Sequence, residues 1–369
     1  MYSLIWSCVL LLFLVLSAPI VAEAREVVDS SQRSVDVPES VEQVICSGSG
    51  CLRLLTYLQA HPMAVAVDDI ESRRRKFDAR PYAIANPQFK CMPIFGEFRG
   101  HDNPELILTL EPQPQVILKT YSSSMGYDPV ELQEKTGIPV VVLNYGDLAR
   151  LKPELYKSLR IMGEVVGKQQ RAEDVITFIE AQINDLKQRT ADVPAQDRPS
   201  VFVGGVAFKG PHGYQSTEPT YPPFSFVNAN NLAYDTALSG KELRHSNVSK
   251  EKIVEWNPDY LFLDLSSLQL GDKAGGLFEL RSDPAYRTLT AVKEGRVYGL
   301  LPYNWYTKNY GSILANAYFI GKVLYPERFA DVDPAAKADE IYRFLVGKPV
   351  FKDMNAIFDG LAYQPVSVN

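Results

Sequence analysis

Apolar residues follow two rhythms along this chain. Over roughly the first 150 positions, short apolar runs alternate with helical stretches. Residues 41–46 predict a strand, Ser47-Gly48-Ser49-Gly50 a tight turn, 51–58 a helix and 63–67 the next strand. Residues 104–110 predict a helix start, 115–118 a strand, 129–136 a helix and 138–143 a β-branched run broken only by Pro139. Apolar runs separated by helices suit a parallel sheet covered on both faces. The rhythm then changes. Residues 153–166 and 169–189 both carry helical periodicity, with Ala172, Val175, Ile176, Ile179, Ile183 and Leu186 mostly three or four apart and Gly167 able to break or bend the run. Pro194 and Pro199 end this region, and alternation restarts. Strands are predicted at 201–206, 260–265 and 296–300. Helices are predicted at 250–256, 311–324, 336–346 and 353–358, and residues 208–230 read as a long polar loop. The pattern gives two α/β lobes with parallel-type sheets, joined by a long helical segment.

One further stretch stands apart. Residues 9–20 are almost wholly apolar and are followed by Ala22-Glu23-Ala24, a small-x-small site. The run is shorter than the ~20 residues a membrane anchor needs, so it reads as a signal peptide cleaved after Ala24. The expected organisation is then a signal peptide over 1–24, a first lobe over 25–150, connecting helix over 151–193 and a second lobe over 194–369. The product would be exported to the periplasm.

The chain has 369 residues, 22% of them charged, and a net charge of −6, which argues against a nucleic-acid binder built on a basic surface. Cys46, Cys51 and Cys91 remain after the leader. In an oxidising compartment this odd number allows one disulfide and one free thiol, with the pair left open. A zinc site is poorly supported: no C-x-x-C occurs, and His61, His101, His212 and His245 lack metal-ligand spacing.

Candidate chemistry lies after the strands. Ser47 and Ser49 belong to a glycine turn that opens a helix, where backbone N–H groups can meet an anion. The turn matches neither the P-loop nor the G-x-S-x-G elbow, and it also reads as a simple helix cap. Glu97 and Arg99 share a glycine-flanked loop with His101 and Asp102, and Tyr121 follows a strand end. Lys209 and Tyr214 lie in one polar loop of the second half; Asn304, Trp305, Tyr306 and Lys308 lie in another, richer in aromatics. Aromatic and amide groups beyond the carboxyl ends of strands suit a large planar or chelate ligand, although the same aromatics can simply pack. The run Arg73-Arg74-Arg75-Lys76 reads as a solvated face or as an attractant for anions. No nucleophile with a base, no paired carboxylates and no ligand cluster has the spacing an enzyme requires, so no catalytic residue and no cofactor is expected.

Four stretches together resemble the class III substrate-binding proteins of ABC importers, the group that carries ferric siderophores, haem, cobalamin and related chelates. VICSGSGCLRLLTYL at 44–58 resembles the first strand, turn and helix. NPELILTLEPQPQVI at 103–117 is similar to the N-x-E-x-I-x-x-L-x-P-D-x-I signature, with two extra residues before Pro114 and Gln115 in place of the acid. VSKEKIVEWNPDYLF at 248–262 and DPAYRTLTAVKEGRVYGL at 283–300 resemble second-lobe stretches. The resemblance implies two Rossmann-like lobes bridged by a rigid helix, with a ligand cleft between them. It also implies one acidic docking residue per lobe for a permease dimer, at Glu105 and Glu251. The implied protein is a monomer that delivers a metal chelate, a ferric siderophore or related iron complex, to an inner-membrane ABC permease. The loop 304–308 is similar to a cobalamin-binding loop, but Asn304 and Lys308 replace an acid and an arginine, which speaks against cobalamin itself. A direct metal-ion binder and a cleft enzyme are the competing readings.

Overall fold

The computed structural model describes residues 24–73, 76–122, 124–234 and 245–368. The apolar leader and Arg74-Arg75 of the basic run lie outside the described residues.

The described chain opens with an antiparallel hairpin, β1 (Ala24–Val28) and β2 (Ser34–Pro38). Val27, Val35 and Val37 face inward from it, a period-two pattern too short to stand out in the sequence. The first lobe is a six-stranded sheet of β3 (Val44–Ser47), β4 (Ala64–Asp68), β5 (Ile94–Glu97), β6 (His101–Asp102), β7 (Val116–Thr120) and β8 (Val140–Leu143). Their order is β6-β5-β4-β3-β7-β8, and every pairing is parallel except β5–β6. Val44, Ile45, Val116, Ile117, Leu118, Val140 and Val141 are fully buried, as strands covered on both faces require.

The second lobe has the smaller sheet. β9 (Ser200–Gly204), β11 (Asn230–Asn231), β13 (Tyr260–Asp264) and β14 (Val297–Leu300) form a parallel sheet in the order β11-β9-β13-β14. β10 (Ser216–Thr217) and β12 (Ser246–Asn247) make a separate short pair. The expected loop 208–230 is more structured than its composition suggests: it holds β10, a helix at Pro222–Phe226 and the start of β11.

The connecting segment is two helices. Lys152–Val165 and Gln169–Thr190 fold into an antiparallel pair about Gly167, whose φ of 65° glycine adopts without strain. Arg160–Glu173 (2.6 Å) and Lys152–Glu180 (2.6 Å) tie the two together, and Tyr156 donates to Glu180 at 3.0 Å. The second helix spans about 33 Å, enough to run from one lobe to the other. Its inward stripe is the predicted one, from Ala172 to Leu186. The chain's last helices, Pro334–Val346 and Phe351–Ile357, also reach back to the first lobe. Lys348 donates to the Ala85 carbonyl at 2.6 Å, and Phe358 stacks on Phe77 with ring centroids 5.7 Å apart.

Candidate functional site

A cleft of about 290 Å³ lies between the lobes. Its walls come from loops beyond the carboxyl ends of parallel strands. The first lobe supplies Ser49 after β3, Ile70 after β4, and Phe98 and Arg99 after β5. The second supplies Lys209 after β9, Gln269 after β13, and Asn304 through Thr307 after β14. In the first sheet β4 and β7 flank β3 on opposite sides, so the turn carrying Ser49 occupies the topological switch point where open α/β sheets take ligands.

Local geometry explains why these residues arrive there. Gly50 has a φ of 85°, and a Cβ on it would collide with the Tyr145 ring, so glycine is required at this position of the turn between β3 and the helix Cys51–Tyr57. Arg99, Lys209, Tyr306 and Thr307 all have positive φ, between 47° and 67°, without being glycine. Non-glycine residues held in the left-handed region cluster at ligand clamps, because the surrounding structure must enforce them. Here the enforcement is visible. The Phe98 amide donates to Asp69 at 2.9 Å, the Arg99 amide donates to the Tyr306 hydroxyl at 3.0 Å, and the Tyr306 hydroxyl donates to Asp68. Both Arg73 and Arg99 lie over the Phe98 ring, at 4.7 and 5.0 Å. Asn304 donates to the Ala207 carbonyl at 2.7 Å and joins two walls of the second lobe.

The cleft's charge is one-sided. Arg99 and Lys209 face it from opposite lobes, and no Asp, Glu or His is among its lining residues. Beneath it, burial and the neighbouring Glu71 push the Asp68 carboxyl up to about 8, against the opposing pull of Tyr306 and Arg80. At neutral pH this carboxyl therefore holds its proton and does not cancel the cations above it. Burial and Asp68 raise the Tyr306 phenol well above its usual value, so it stays a neutral donor.

Arg53 holds the two lobes together. It sits fully buried on the helix Cys51–Tyr57 of the first lobe. Its guanidinium donates to the carbonyls of Trp305 (3.0 Å), Tyr306 (3.0 Å) and Lys308 (2.9 Å), and to the Tyr145 hydroxyl. Tyr145 in turn donates to the Lys308 carbonyl at 2.7 Å and stacks on Tyr310 at 5.1 Å. The second lobe's aromatic loop is thus seated on the first lobe.

Of the residues singled out in the sequence, Ser49, Arg99, Lys209, Asn304, Trp305 and Tyr306 meet at the cleft. The others lie off its walls. Ser47 is fully buried and accepts from Lys119 at 3.0 Å; Lys119 also makes a buried ion pair with Asp102. Tyr214 is packed in the second-lobe core against Phe202 and Tyr286. The Lys308 ammonium is buried, 4.0 Å from the Asp147 carboxylate, because the left-handed turn at Tyr306-Thr307 reverses the chain before it. Glu97 lies on a neighbouring surface hollow with His101 and Asp102, and Tyr121 reaches toward Asp128 at 3.5 Å. Trp305 lines the cleft but is mostly buried, its ring nearly perpendicular to that of Phe358 with centroids 6.2 Å apart. Glu105 and Glu251 are both exposed in the first turn of a helix, one per lobe, behind the caps Asn103 and Ser249. Among the described residues, Cys46, Cys51 and Cys91 are unbonded thiols in this structure.

Sequence reasoning missed Phe98, Gln269, Asp68 and Arg53. Two of these left a trace. Arg53 is the one charge in the apolar helix CLRLLTY, and Asp68 ends the apolar strand AVAVD at its carboxyl edge.

The periplasmic binding protein family model matches residues 44–303. The molybdate-binding protein MolA of Haemophilus influenzae is 24% identical over 344 residues, covering 86% of this chain and 90% of its own length. The iron-uptake system-binding protein of Bacillus subtilis is 25% identical over 202 residues, 53% of this chain and 57% of that protein. Among solved structures, MolA bound to molybdate superposes with a TM-score of 0.65 at 20% identity, covering 88% of this chain and 98% of that one. Helicobacter pylori CeuE with Ni(II) bound gives 0.55 at 18% identity, covering 92% and 99%. Two α/β lobes, a helical connection and a cleft at the strand ends agree with the family match over most of the chain: this protein belongs to the periplasmic binding proteins, as a class III solute-binding protein of an ABC transporter.

Proposed function

We propose that this chain is exported, cleaved after Ala24, and binds a compact anion that it passes to an ABC permease, docking through Glu105 and Glu251. The observation that carries the ligand reading is the pairing of Arg99 and Lys209 across a small cleft whose lining holds no carboxylate. At about 290 Å³ the space stands at the lower end of the ~300–1,000 Å³ typical of ligand pockets, which favours a tetrahedral metal oxyanion over a macrocycle such as haem. The likeness to MolA, named for molybdate, supports the same class.

A second reading is an anionic ferric chelate. Phe98, Trp305 and Tyr306 on the walls favour it, as does the likeness to an iron-uptake binding protein. A bare divalent cation would find no carboxylate or imidazole on the cleft walls. The test is calorimetric titration of the purified protein with molybdate, tungstate, sulfate, a ferric siderophore and haem. Saturable molybdate or tungstate binding, with no heat from haem, is the expected result. Binding of the siderophore alone moves the assignment to the second reading, and binding of none of the anions refutes both.

A further inference from the structure

Two thiols meet beneath the turn that carries Ser49. Cys46 stands opposite Leu118 in the β3–β7 register. Cys51 opens the following helix, and its Sγ donates to the carbonyl of the same Leu118 at 3.3 Å. One strand residue therefore locates both cysteines, and Cys51 is near enough to help push the Cys46 thiol's pKa up. Both are out of water, at 4% and 0% exposure. Only Ser47-Gly48-Ser49-Gly50 separates them in the chain. Two glycines with φ of 84° and 85° fold that segment back on itself, and the Cys51 amide donates to the Gly48 carbonyl at 3.3 Å. Cys91 belongs to a different neighbourhood, exposed at the end of the 3-10 turn Pro87–Cys91.

We infer that Cys46 and Cys51 form a disulfide when the chain folds in an oxidising compartment, closing a ring around the turn that supplies Ser49 to the cleft, while Cys91 remains a free thiol. The inference rests on the export proposed above. The oxidant is a disulfide donor, either a dithiol–disulfide oxidoreductase or a small oxidised thiol. One cysteine thiolate attacks the donor disulfide and expels a thiolate. The second cysteine, deprotonated, then attacks the mixed disulfide and expels the other. Two electrons pass to the donor, and the two protons released from Cys46 and Cys51 end on its thiols.

Burial sets the timing. In the folded protein neither sulfur is open to attack, and burial together with the adjacent Cys51 thiol holds Cys46 in its unreactive protonated form. The bond therefore forms before the helix Cys51–Tyr57 packs, and once made it is shielded from reductants. The ring constrains residues 46–51, the turn that carries Ser49 on the cleft wall, and ends two residues before Arg53, which seats the opposite lobe's loop.

The experiment refolds the full mature chain from denaturant in a buffer of oxidised and reduced glutathione. Thiols are then counted by maleimide tagging in denaturant. One tagged thiol per chain is expected, falling to none in Cys91→Ser. The tryptic peptide 34–53, which carries both cysteines and no internal cleavage site, should be about 2 Da lighter than its reduced form. Three tagged thiols, or a bond involving Cys91, would overturn the inference. The same count on protein taken from the periplasm separates the two readings. One thiol after refolding but three from the cell leaves the pairing standing and refutes the compartment. A reduced native protein that oxidises only after partial unfolding supports the timing argument, and rapid oxidation of the native state refutes it.

Discussion

Replacing Arg53 with Met tests the idea that one buried guanidinium joins the lobes. The side chain reaches three carbonyls of the opposite lobe's loop, at 2.9, 3.0 and 3.0 Å, and the Tyr145 hydroxyl. Hydrogen bonds to a charged donor are each worth about 1.5–3 kcal/mol, but desolvating the guanidinium offsets much of their sum. Met fills similar volume and removes that penalty, yet it leaves the carbonyls of Trp305, Tyr306 and Lys308 facing an apolar chain. A carbonyl orphaned in this way costs about 1–3 kcal/mol. Water entering beside the smaller head recovers part of it, and Tyr145 still donates to Lys308 at 2.7 Å. A net loss of about 3–5 kcal/mol is expected: three orphaned carbonyls, less what water, Tyr145 and the relieved desolvation of the guanidinium recover. Arg53→Lys keeps the charge but has no planar fork to serve several acceptors at once, so it should fall between Met and the wild type. Urea denaturation measures the stability, and molybdate titration measures the cleft. Both should fall together in Arg53→Met, because the loop it seats carries Trp305 and Tyr306 into the wall. Arg99→Met is the control: it should lose affinity while stability stays within about 0.5 kcal/mol, as for surface substitutions. An Arg53→Met protein with wild-type midpoint and wild-type affinity would refute the latch.

Other substitutions separate the remaining roles. Arg99→Ala should weaken anion binding by about 1–3 kcal/mol and Lys209→Ala by less, because Lys209 is the more exposed; equal wild-type affinities in calorimetry would count against the anionic reading. Asp68 has its folded-state pKa raised to about 8, so its contribution to stability is full below the unfolded value near 4 and declines as pH rises toward 8. Asp68→Asn should flatten the fall in urea midpoint over that window, and an unchanged slope would contradict the assignment. Lys119→Met strands Asp102 in a buried site and should destabilise by about 3–5 kcal/mol in the same denaturation assay. Glu105→Ala and Glu251→Ala should leave ligand titration unchanged and reduce uptake in vesicles containing the permease, the double variant most; normal uptake by the double variant would rule out docking through these carboxylates.

How much of this was legible beforehand depends on whether a feature is written in side chains or in backbone. The helix Pro129–Thr136 has the bounds expected for it, and residue types mark both its ends: Asp128 caps the first turn and Gly137, at φ 68°, closes the last. The helix Lys250–Trp256 was equally clear behind Ser249. β5 leaves no signal because Ile-Phe-Gly-Glu is too short to show a period, and the expected strand 201–206 runs two residues past the end of β9 because the Val206 amide donates to the Ser216 carbonyl instead of to the sheet. For the site, position was readable and direction was not. Ser49, Arg99, Lys209 and Tyr306 follow strand ends, and strand ends face the cleft. Lys308 lies only two residues from Tyr306, yet the left-handed pair Tyr306-Thr307 turns it away toward Asp147, and no side-chain pattern encodes that reversal. Arg53 is the hardest case. Its acceptors are carbonyls 252, 253 and 255 positions away, and a carbonyl belongs to every residue alike. The sequence can mark such a contact only from the donor's side, as a charge with no business in an apolar helix. A buried cation therefore calls for a search among carbonyls as well as carboxylates: Lys119 is held by Asp102, but Arg53 is held largely by backbone.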